Sequence, residues 1–218
     1  MPASTARTAR TARIERLVTS GVFALDGGEW QVDNNVWLVG DDHEVVVIDP
    51  AHDAEAVTDA VAGRTVRAII CTHGHSDHID AAPAVSAATG AGIRLHPRDH
   101  VLWELTHPAF PPGRHLSDGD ELTVAGVDLK VIHTPGHTPG AVCLYTAALG
   151  TVFTGDTLFN GGPGATGRSY SDFDTLITSI RDRLLTLPSR TAVLPGHGDN
   201  TIIEAEAKAV DELLTQGR

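Results

Sequence analysis

The amino-acid sequence predicts an α/β protein in which two mixed β-sheets pack face to face and helices cover both outer faces. Short apolar runs with strand character alternate with helical segments in both halves of the chain. Hydrophobic residues make up 41% of the 218 residues, which is enough to fill a large core. No long linker interrupts the pattern, so residues 14–218 are expected to form a single domain.

In the first half of the chain, strands and helices follow one another closely. The run 45–48 is apolar at every position, as in a strand that is buried on both faces. Gly63 and Gly90 are stop signals for two helices, and Pro97 opens a third. Strands are therefore expected at 14–19, 35–39, 44–49, 66–71 and 93–96, and helices at 53–62, 81–89 and 97–105.

The second half repeats this pattern after a segment at 107–120 that is rich in proline and glycine and is expected to be a loop. Asp172 is a candidate N-cap for a long amphipathic helix. The glycine-rich segment 160–167 predicts a mobile loop. Strands are expected at 121–124, 127–132, 141–145, 151–154 and 191–194, and helices at 172–187 and 201–216.

The first thirteen residues repeat Thr-Ala-Arg three times and contain no acidic residue. An organelle transit peptide can have this composition. No apolar stripe supports an amphipathic helix there, so residues 1–13 are interpreted as a disordered tail. The chain shows neither the apolar region of a secretory signal nor a run of about 20 apolar residues that could span a membrane. A cytoplasmic location without a membrane partner is therefore expected.

Composition narrows the function further. Lys and Arg total 16 and Asp and Glu total 28, so the net charge is −12, which disfavours nucleic acid as a partner. Cys71 and Cys143 cannot form a disulfide framework, and both lie in predicted strands as buried thiols. Histidine, the commonest metal ligand, accounts for 12 residues, about twice the average share. The next question is whether these histidines cluster in the sequence.

The strongest functional signal follows the predicted strand 66–71. The segment THGHSDH at 72–78 places four candidate ligands, His73, His75, Asp77 and His78, in a tight loop at the end of a strand. Gly74 removes bulk between the first two. Imidazole and carboxylate without thiolate suit zinc, iron or manganese in a catalytic site rather than a closed structural zinc site.

Further glycine turns at the ends of predicted strands carry the same residue types. They are HTPGHTPG at 133–140, TGDT at 154–157 and PGHG at 195–198. Each turn alone is a weak signal. Because all of them follow strands, they can open on the same edge of a sheet sandwich, where sites tend to form. Together with the loop at 72–78, they predict a single metal centre.

These motifs, in this order, resemble the metallo-β-lactamase fold superfamily, and within it the branch of glyoxalase II, the hydroxyacylglutathione hydrolases. The resemblance covers residues from about 14 to 200 and rests on THGHSDH, HTPGHTPG, FTGDTLF at 153–159 and LPGHG at 194–198. It implies two divalent metal ions, with zinc expected and iron or manganese as alternatives. In this sequence the implied ligands are His73, His75 and His137 for one ion, Asp77, His78 and His197 for the other, and Asp156 bridging both.

The resemblance also implies hydrolysis of a thioester, such as S-lactoylglutathione, by a hydroxide that bridges the metals. Asp77 is the implied catalytic residue, because its second carboxylate oxygen can orient that nucleophile. Arg168 and Tyr170 match a basic residue and a tyrosine that contact glutathione in the resembling enzymes. His133 and Asp49 are expected to support the ligands or their turns from behind.

Alternatives remain open at the level of the sequence. True β-lactamases of this fold often have arginine at the position of His78 and use a cysteine ligand, so a thioester hydrolase is favoured over a β-lactamase. The chain ends soon after His197, before the helical region that supplies glutathione contacts in full-length glyoxalase II, so the thiol carrier stays open. A mononuclear iron persulfide dioxygenase and a lactonase keep most or all of the ligands, whereas a binding module is disfavoured because every ligand position is intact.

Overall fold

The computed structural model describes residues 11–215 and has the predicted class of fold, with two mixed sheets packed face to face between layers of helices. The first sheet holds β1 to β3 in antiparallel pairs and continues through β3 to β6 in parallel pairs. Its strands are β1 (Arg13–Leu25), β2 (Gly28–Gly40), β3 (Glu44–Ile48), β4 (Thr65–Ile70), β5 (Ile93–Leu95) and β6 (Arg114–His115). The helices of this half are α1 (Ala54–Val61), α2 (Ser76–Ile79), α3 (Ala82–Thr89) and α4 (His100–Thr106).

The second half contributes strands β7 (Glu121–Val124), β8 (Val127–His133), β9 (Val142–Thr146), β10 (Thr151–Gly155), β11 (Leu158–Phe159), β12 (Gly162–Pro163), β13 (Ala192–Pro195) and β14 (Thr201–Ile202). The second sheet has the order β14-β13-β10-β9-β8-β7, and β11 pairs with β12 beside it. Two helices cover this sheet, α5 (Phe173–Ser179) and α6 (Ile203–Thr215). Asp172 caps α5 by accepting a hydrogen bond from the Thr175 N–H at 2.7 Å, as the sequence predicts.

Apolar side chains fill both faces of each sheet. In β3, Val45 and Val47 pack toward the helices, while Val46 and Ile48 pack toward the second sheet. The continuous apolar run therefore serves two cores, which is the reason for its lack of alternation. Trp37 and Phe153 meet between the sheets, with ring centroids 5.9 Å apart. A further cluster, with Leu176 and Val210 among its members, lies beneath α5 and α6.

The hairpin of β1 and β2 is the largest departure from the predicted elements. The predicted strands 14–19 and 35–39 are only its base, and both strands continue to a two-residue turn at Asp26 and Gly27. Both turn residues have positive φ, 53° and 75°. Asp-Gly is the preferred sequence for such a turn, so the signal was present in the sequence. The extended hairpin brings its tip to the edge where the ligand turns meet, as the contact of Phe23 with His75 shows.

Other boundaries also differ. Residues 1–10 of the predicted tail lie outside the described residues, whereas Ala12 is buried and β1 begins at Arg13, one residue before the predicted strand 14–19. The segment 160–167, expected to be a loop, contains β12 and is tied to α6 by a hydrogen bond from the Gly161 N–H to the Glu206 carboxylate. Within residues 11–215, no helix has the length and apolar character to cross a membrane.

Phe153 provides a test of the core between the sheets. Replacing it with alanine removes a fully buried ring packed on Trp37 and should lower the free energy of unfolding by about 3–5 kcal/mol. Urea denaturation followed by circular dichroism measures this loss. The control is Val18→Ala on β1, where the side chain is 49% exposed and the loss should stay below about 1 kcal/mol. Equal losses would contradict the placement of the core.

Candidate metal centre

The turns that carry the predicted ligands meet at one edge of the sandwich. They follow the C-terminal ends of β4, β8, β10 and β13, while α2 begins inside the first of them. The structure brings together all of the side chains predicted as ligands: His73, His75, Asp77, His78, His137, Asp156 and His197.

His73, His75 and His137 form the first group of candidate ligands. His75 Nδ1 lies 3.1 Å from His73 Nε2 and 3.0 Å from His137 Nε2. A neutral imidazole has one N–H, so three ring nitrogens converging on one point cannot all be paired with each other. Donor atoms around a tetrahedral zinc at about 2.0–2.1 Å are about 3.3–3.4 Å apart. The first group therefore has the spacing of a metal site.

Asp77, His78 and His197 form the second group. His197 Nε2 lies 3.2 Å from His78 Nε2 and 3.3 Å from Asp77 Oδ2, and the remaining separation, between Asp77 Oδ2 and His78 Nε2, is 3.5 Å. These side chains are buried except His197, which is partly exposed at the rim. The separations in the second group are also close to those of donor atoms around one metal ion.

The Asp156 carboxylate lies between the two groups. Its Oδ1 is 3.3 Å from His78 Nε2, and its Oδ2 is 3.6 Å from His137 Nε2 and 3.4 Å from His197 Nε2. Gly196 leaves room for this arrangement, because a Cβ at that position would collide with Asp156 and with the His78 ring. Asp156 therefore lies within reach of a metal ion held by either group.

Hydrogen bonds on the outer side of the imidazoles fix which nitrogen faces inward. His137 Nδ1 donates to the Ala165 carbonyl at 2.8 Å, His197 Nδ1 to the Asp33 carbonyl at 2.7 Å, and His78 Nδ1 to Asp49 Oδ2 at 3.0 Å. Because the outer partners can only accept, each ring carries a hydrogen on Nδ1, and its inner Nε2 has a free lone pair whenever the ring is neutral. This is the tautomer that binds a metal.

Asp49, predicted to support the ligands, lies at the end of β3 beneath both groups. Its carboxylate accepts hydrogen bonds from the Thr72 N–H at 2.6 Å and from the Thr72 hydroxyl at 2.7 Å, in addition to His78. The Thr72 oxygen lies 3.1 Å from His73 Nδ1 and can accept its hydrogen. Asp49 therefore orients one histidine of each group.

The residues present fit two divalent ions. Asp77 Oδ1 and Asp156 Oδ1 are buried without a hydrogen-bond partner, which costs about 1–3 kcal/mol or more for each group unless a cation or water is bound there. The donor set of five imidazoles and two carboxylates has no thiolate and suits zinc, iron or manganese. Cys71 and Cys143 are buried in the helix-facing cores of the two sheets, away from the ligand groups found among residues 11–215.

The two groups differ in their protonation. Burial lowers the pKa of His73 and His137 and lowers that of His75 to about 3, so the first group is neutral at pH 7. Burial also opposes charge on the second group, but the Asp156 and Asp77 carboxylates outweigh it: they raise the pKa of His78 and raise that of His197 to about 10. Conversely, despite burial, His78 and His197 hold the pKa of Asp77 at about 2.

Asp99, which the sequence did not single out, joins the two loops of the first group. Its Oδ2 accepts hydrogen bonds from the Gly74 N–H at 2.8 Å and the Thr138 hydroxyl at 2.6 Å, while its Oδ1 accepts one from the Gly140 N–H. Burial raises the pKa of Asp99 to about 6, against the effect of these donors. An aspartate that begins a helix after Pro97 looks like a cap, so its sequence context gave no signal of this role.

His133, predicted to support the site, bonds within its own turn. Its Nε2 lies 3.0 Å from the Pro139 carbonyl oxygen, and its ring stacks on His96 with centroids 4.3 Å apart. It therefore braces the turn that carries His137.

The two predicted substrate residues lie in different surroundings. The Arg168 guanidinium lies over the Trp30 and Phe23 rings, 4.3 Å and 5.3 Å from their centres. The Phe23 ring is in turn 5.0 Å from that of His75. Arg168 and the hairpin tip thus form a wall beside the first group. Tyr170 is 45% exposed and has a φ of 70°, and its role in substrate binding stays a prediction.

Comparison with known proteins gives related enzymes. The family profile described as "Metallo-beta-lactamase superfamily" matches residues 30–197. "Probable metallo-hydrolase YqgX" of Bacillus subtilis is 35% identical over 191 residues, which are 79% of this chain and 88% of that protein. "Hydroxyacylglutathione hydrolase GloC" of Haemophilus influenzae is 32% identical over 191 residues, 80% of this chain and 90% of that protein.

Solved structures show the same similarity. The BLEG-1 B3 metallo-beta-lactamase has a TM-score of 0.75 at 30% identity and covers 87% of this chain and 97% of its own. TTHA1623, solved in a di-iron-bound form, has a TM-score of 0.73 at 34% identity, and the match covers 82% of this chain and 94% of TTHA1623. ETHE1 from Myxococcus xanthus has a TM-score of 0.69 at 27% identity, and the match covers 86% of this chain and 81% of that protein.

The difference in protonation predicts how the metal-free protein takes up zinc at pH 7. Filling the first group should release few protons, because its histidines are already neutral. Filling the second group should displace up to one proton each from His78 and His197, whose pKa values are raised, and none from Asp77. A pH indicator in weakly buffered solution measures this release during a zinc titration.

The affinity for the second ion should also fall more steeply than that for the first as the pH is lowered. His43→Gln is the control, because His43 is exposed on the loop between β2 and β3, and it should leave both steps unchanged. Equal proton release at the two steps would contradict the assigned protonation.

Proposed function

The chain belongs to the metallo-beta-lactamase superfamily, and we propose that it is a two-metal hydrolase that cleaves thioesters of small acyl groups, such as S-lactoylglutathione. The observation that carries this proposal is the position of Asp156 between two compact groups of candidate ligands. One ion would be held by His73, His75 and His137, the other by Asp77, His78 and His197, and both by Asp156.

When bound, two divalent ions supply a hydroxide nucleophile near neutral pH and polarise the substrate carbonyl. The protein's own groups position the reactants. Asp77 Oδ1 is buried without a partner and can accept a hydrogen bond from the nucleophile, which orients its attack. A thiolate leaving group, with a thiol pKa of about 8.5, departs without a general acid. Two +2 ions outweigh the two ligand carboxylates, so an anionic substrate is attracted despite the net charge of −12.

The wall of Arg168, Trp30 and Phe23 supports binding of a substrate whose leaving portion carries a carboxylate beside an apolar group. The aromatic rings hold the guanidinium by cation–π contact, which leaves its edge able to pair with an anion. The similarity to a hydroxyacylglutathione hydrolase supports the same choice.

The ligand chemistry favours a thioester hydrolase over a β-lactamase that uses a cysteine ligand. Cys71 packs among the side chains beneath the helices of the first half, and burial raises the pKa of its thiol. Cys143 lies in the cluster beneath α5, and burial raises the pKa of its thiol to about 11. The second group contains Asp77, His78 and His197 and no cysteine.

A substrate panel on the metal-loaded protein tests this function. Turnover of S-lactoylglutathione and other acyl thioesters is expected, with little or no turnover of acyl-homoserine lactones or a cephalosporin. Good lactone turnover without any thioester turnover would make the protein a lactonase. About one iron per chain, with oxygen consumption on glutathione persulfide, would identify a persulfide dioxygenase and refute the hydrolase.

Asp156→Ala tests the shared ligand. It should lower kcat/KM by more than about 100-fold and reduce the bound metal, because both ions lose a ligand. Metal content measured by atomic emission and thioester hydrolysis measured in parallel give the two results. Asp199→Ala is the matched control, since Asp199 is exposed just beyond His197, and it should keep both properties. Full activity in the Asp156 variant would defeat the proposed site.

A further inference from the structure

Asn34 in β2 is fully buried, and its side chain reaches the second group of ligands. Its Nδ2 lies 3.1 Å from Asp77 Oδ2, 3.3 Å from His78 Nε2 and 3.5 Å from His197 Nε2. Those three ligand atoms are themselves 3.2 to 3.5 Å apart. The four atoms therefore stand at the corners of a nearly regular tetrahedron.

This tetrahedron has the dimensions of a metal coordination shell. Donors at about 2.0–2.1 Å from a tetrahedral zinc are about 3.3–3.4 Å from one another, and zinc also accepts a fifth donor. Asp156 supplies that additional donor, with its oxygens 3.3 Å from His78 Nε2 and 3.4 Å from His197 Nε2. The Asn34 carboxamide thus occupies the position of a ligand.

The other end of the carboxamide decides which of its atoms faces the ligands. Asn34 Oδ1 lies 2.9 Å from His52 Nε2, and His52 Nδ1 lies 3.0 Å from Asp80 Oδ2. The Asp80 carboxylate only accepts, so His52 Nδ1 carries a hydrogen, and in the tautomer with its single hydrogen on Nδ1 the Nε2 atom is an acceptor. The Asn34 NH2 group can donate a hydrogen bond to this His52 Nε2 acceptor, whereas the Asn34 carbonyl oxygen cannot. A half-turn about the Cβ–Cγ bond exchanges the two and directs Oδ1 toward the ligands.

His52 is itself firmly placed for this task. Its backbone N–H donates to Asp80 Oδ1 at 2.7 Å, so the carboxylate holds both the backbone and the ring. Its φ is 60°, an unfavourable value for a side chain-bearing residue. The ring packs against Gly21 of β1, where a Cβ would collide with it. This constraint fixes the imidazole next to Asn34.

We propose that Asn34, oriented by His52 and Asp80, is a further oxygen donor to the metal ion of the second group. The ion of the second group would then have oxygens from Asp77, the shared Asp156 and the Asn34 carbonyl beside two imidazoles. The ion of the first group would have three imidazoles and the shared carboxylate. Oxygen donors suit manganese and other hard ions better than imidazoles do. The two positions accordingly differ in the ion that each prefers.

Paired variants of Asn34 test the proposal through metal binding alone, without a substrate. Asn34→Leu keeps the volume and removes the donor, so the second ion should bind at least about 10-fold more weakly while the first is unaffected. Asn34→Asp supplies an oxygen but no N–H, so it should keep the second ion. Titration of each metal-free variant with Mn²⁺ and with Zn²⁺ measures both steps. Ser20→Ala, on the same hairpin and bonded only to Asp33 in the described hydrogen bonds, is the control.

Loss of the second ion in both Asn34 variants would overturn the proposal, because it would show that the side chain acts as an N–H donor to Asp77. Retention of the second ion in Asn34→Leu would also overturn it. Circular dichroism of the metal-free variants checks that they are folded. In the Co²⁺-loaded proteins, Asn34→Leu should show stronger visible absorption from the second ion than the wild type, since that ion loses a ligand. An unchanged spectrum would contradict the proposal.

Discussion

The buried carboxylate of Asp49 is the constraint on which the metal centre depends. It binds the backbone and hydroxyl of Thr72 and the ring of His78, and through Thr72 it reaches His73. A single acceptor group thus holds the Nδ1 hydrogens of two imidazoles on the outer side of the site and directs their Nε2 atoms inward. The Asp99 carboxylate likewise accepts hydrogen bonds from the backbone N–H groups of Gly74 and Gly140 and so holds two of the ligand loops together. The ligand geometry is therefore set by acceptors placed behind it, at the ends of the strands.

The metal centre gathers charged and polar side chains in a buried part of the protein. Asp77 and Asp156 keep buried oxygens without hydrogen-bond partners, and His78 and His197 carry protons only because those carboxylates are near. Bound metal ions would pair with the buried carboxylate oxygens of Asp77 and Asp156. They would also displace the protons from His78 and His197. Metal binding and folding are consequently linked, and the strongest linkage lies in the second group.

The sequence predicted those parts of the structure that are local. Every proposed ligand lies in a short motif after a strand, so β4, β8, β10 and β13 bring them together without further information. Asp99 and Asn34 are different, because each acts on residues that are distant in the chain, and neither lies in a motif or has a periodic pattern. The tight turn between β1 and β2 could also have been predicted, because Asp-Gly at positions 26 and 27 is a strong turn signal. The Cys71 and Cys143 thiols are buried, as their strand positions indicated.

The unbroken pairing of β1 with β2 limits how this protein can diversify. Trp30, at the wall beside the site, and Asn34, at the second group, lie four residues apart on one face of β2, and Phe23 pairs with Trp30 across the hairpin. An insertion of one residue between Trp30 and Asn34 would turn one of these side chains to the opposite face. Side chains at the hairpin tip can therefore be replaced without moving Asn34, whereas a change of strand length between Trp30 and Asn34 would change the position of one of them relative to the second group.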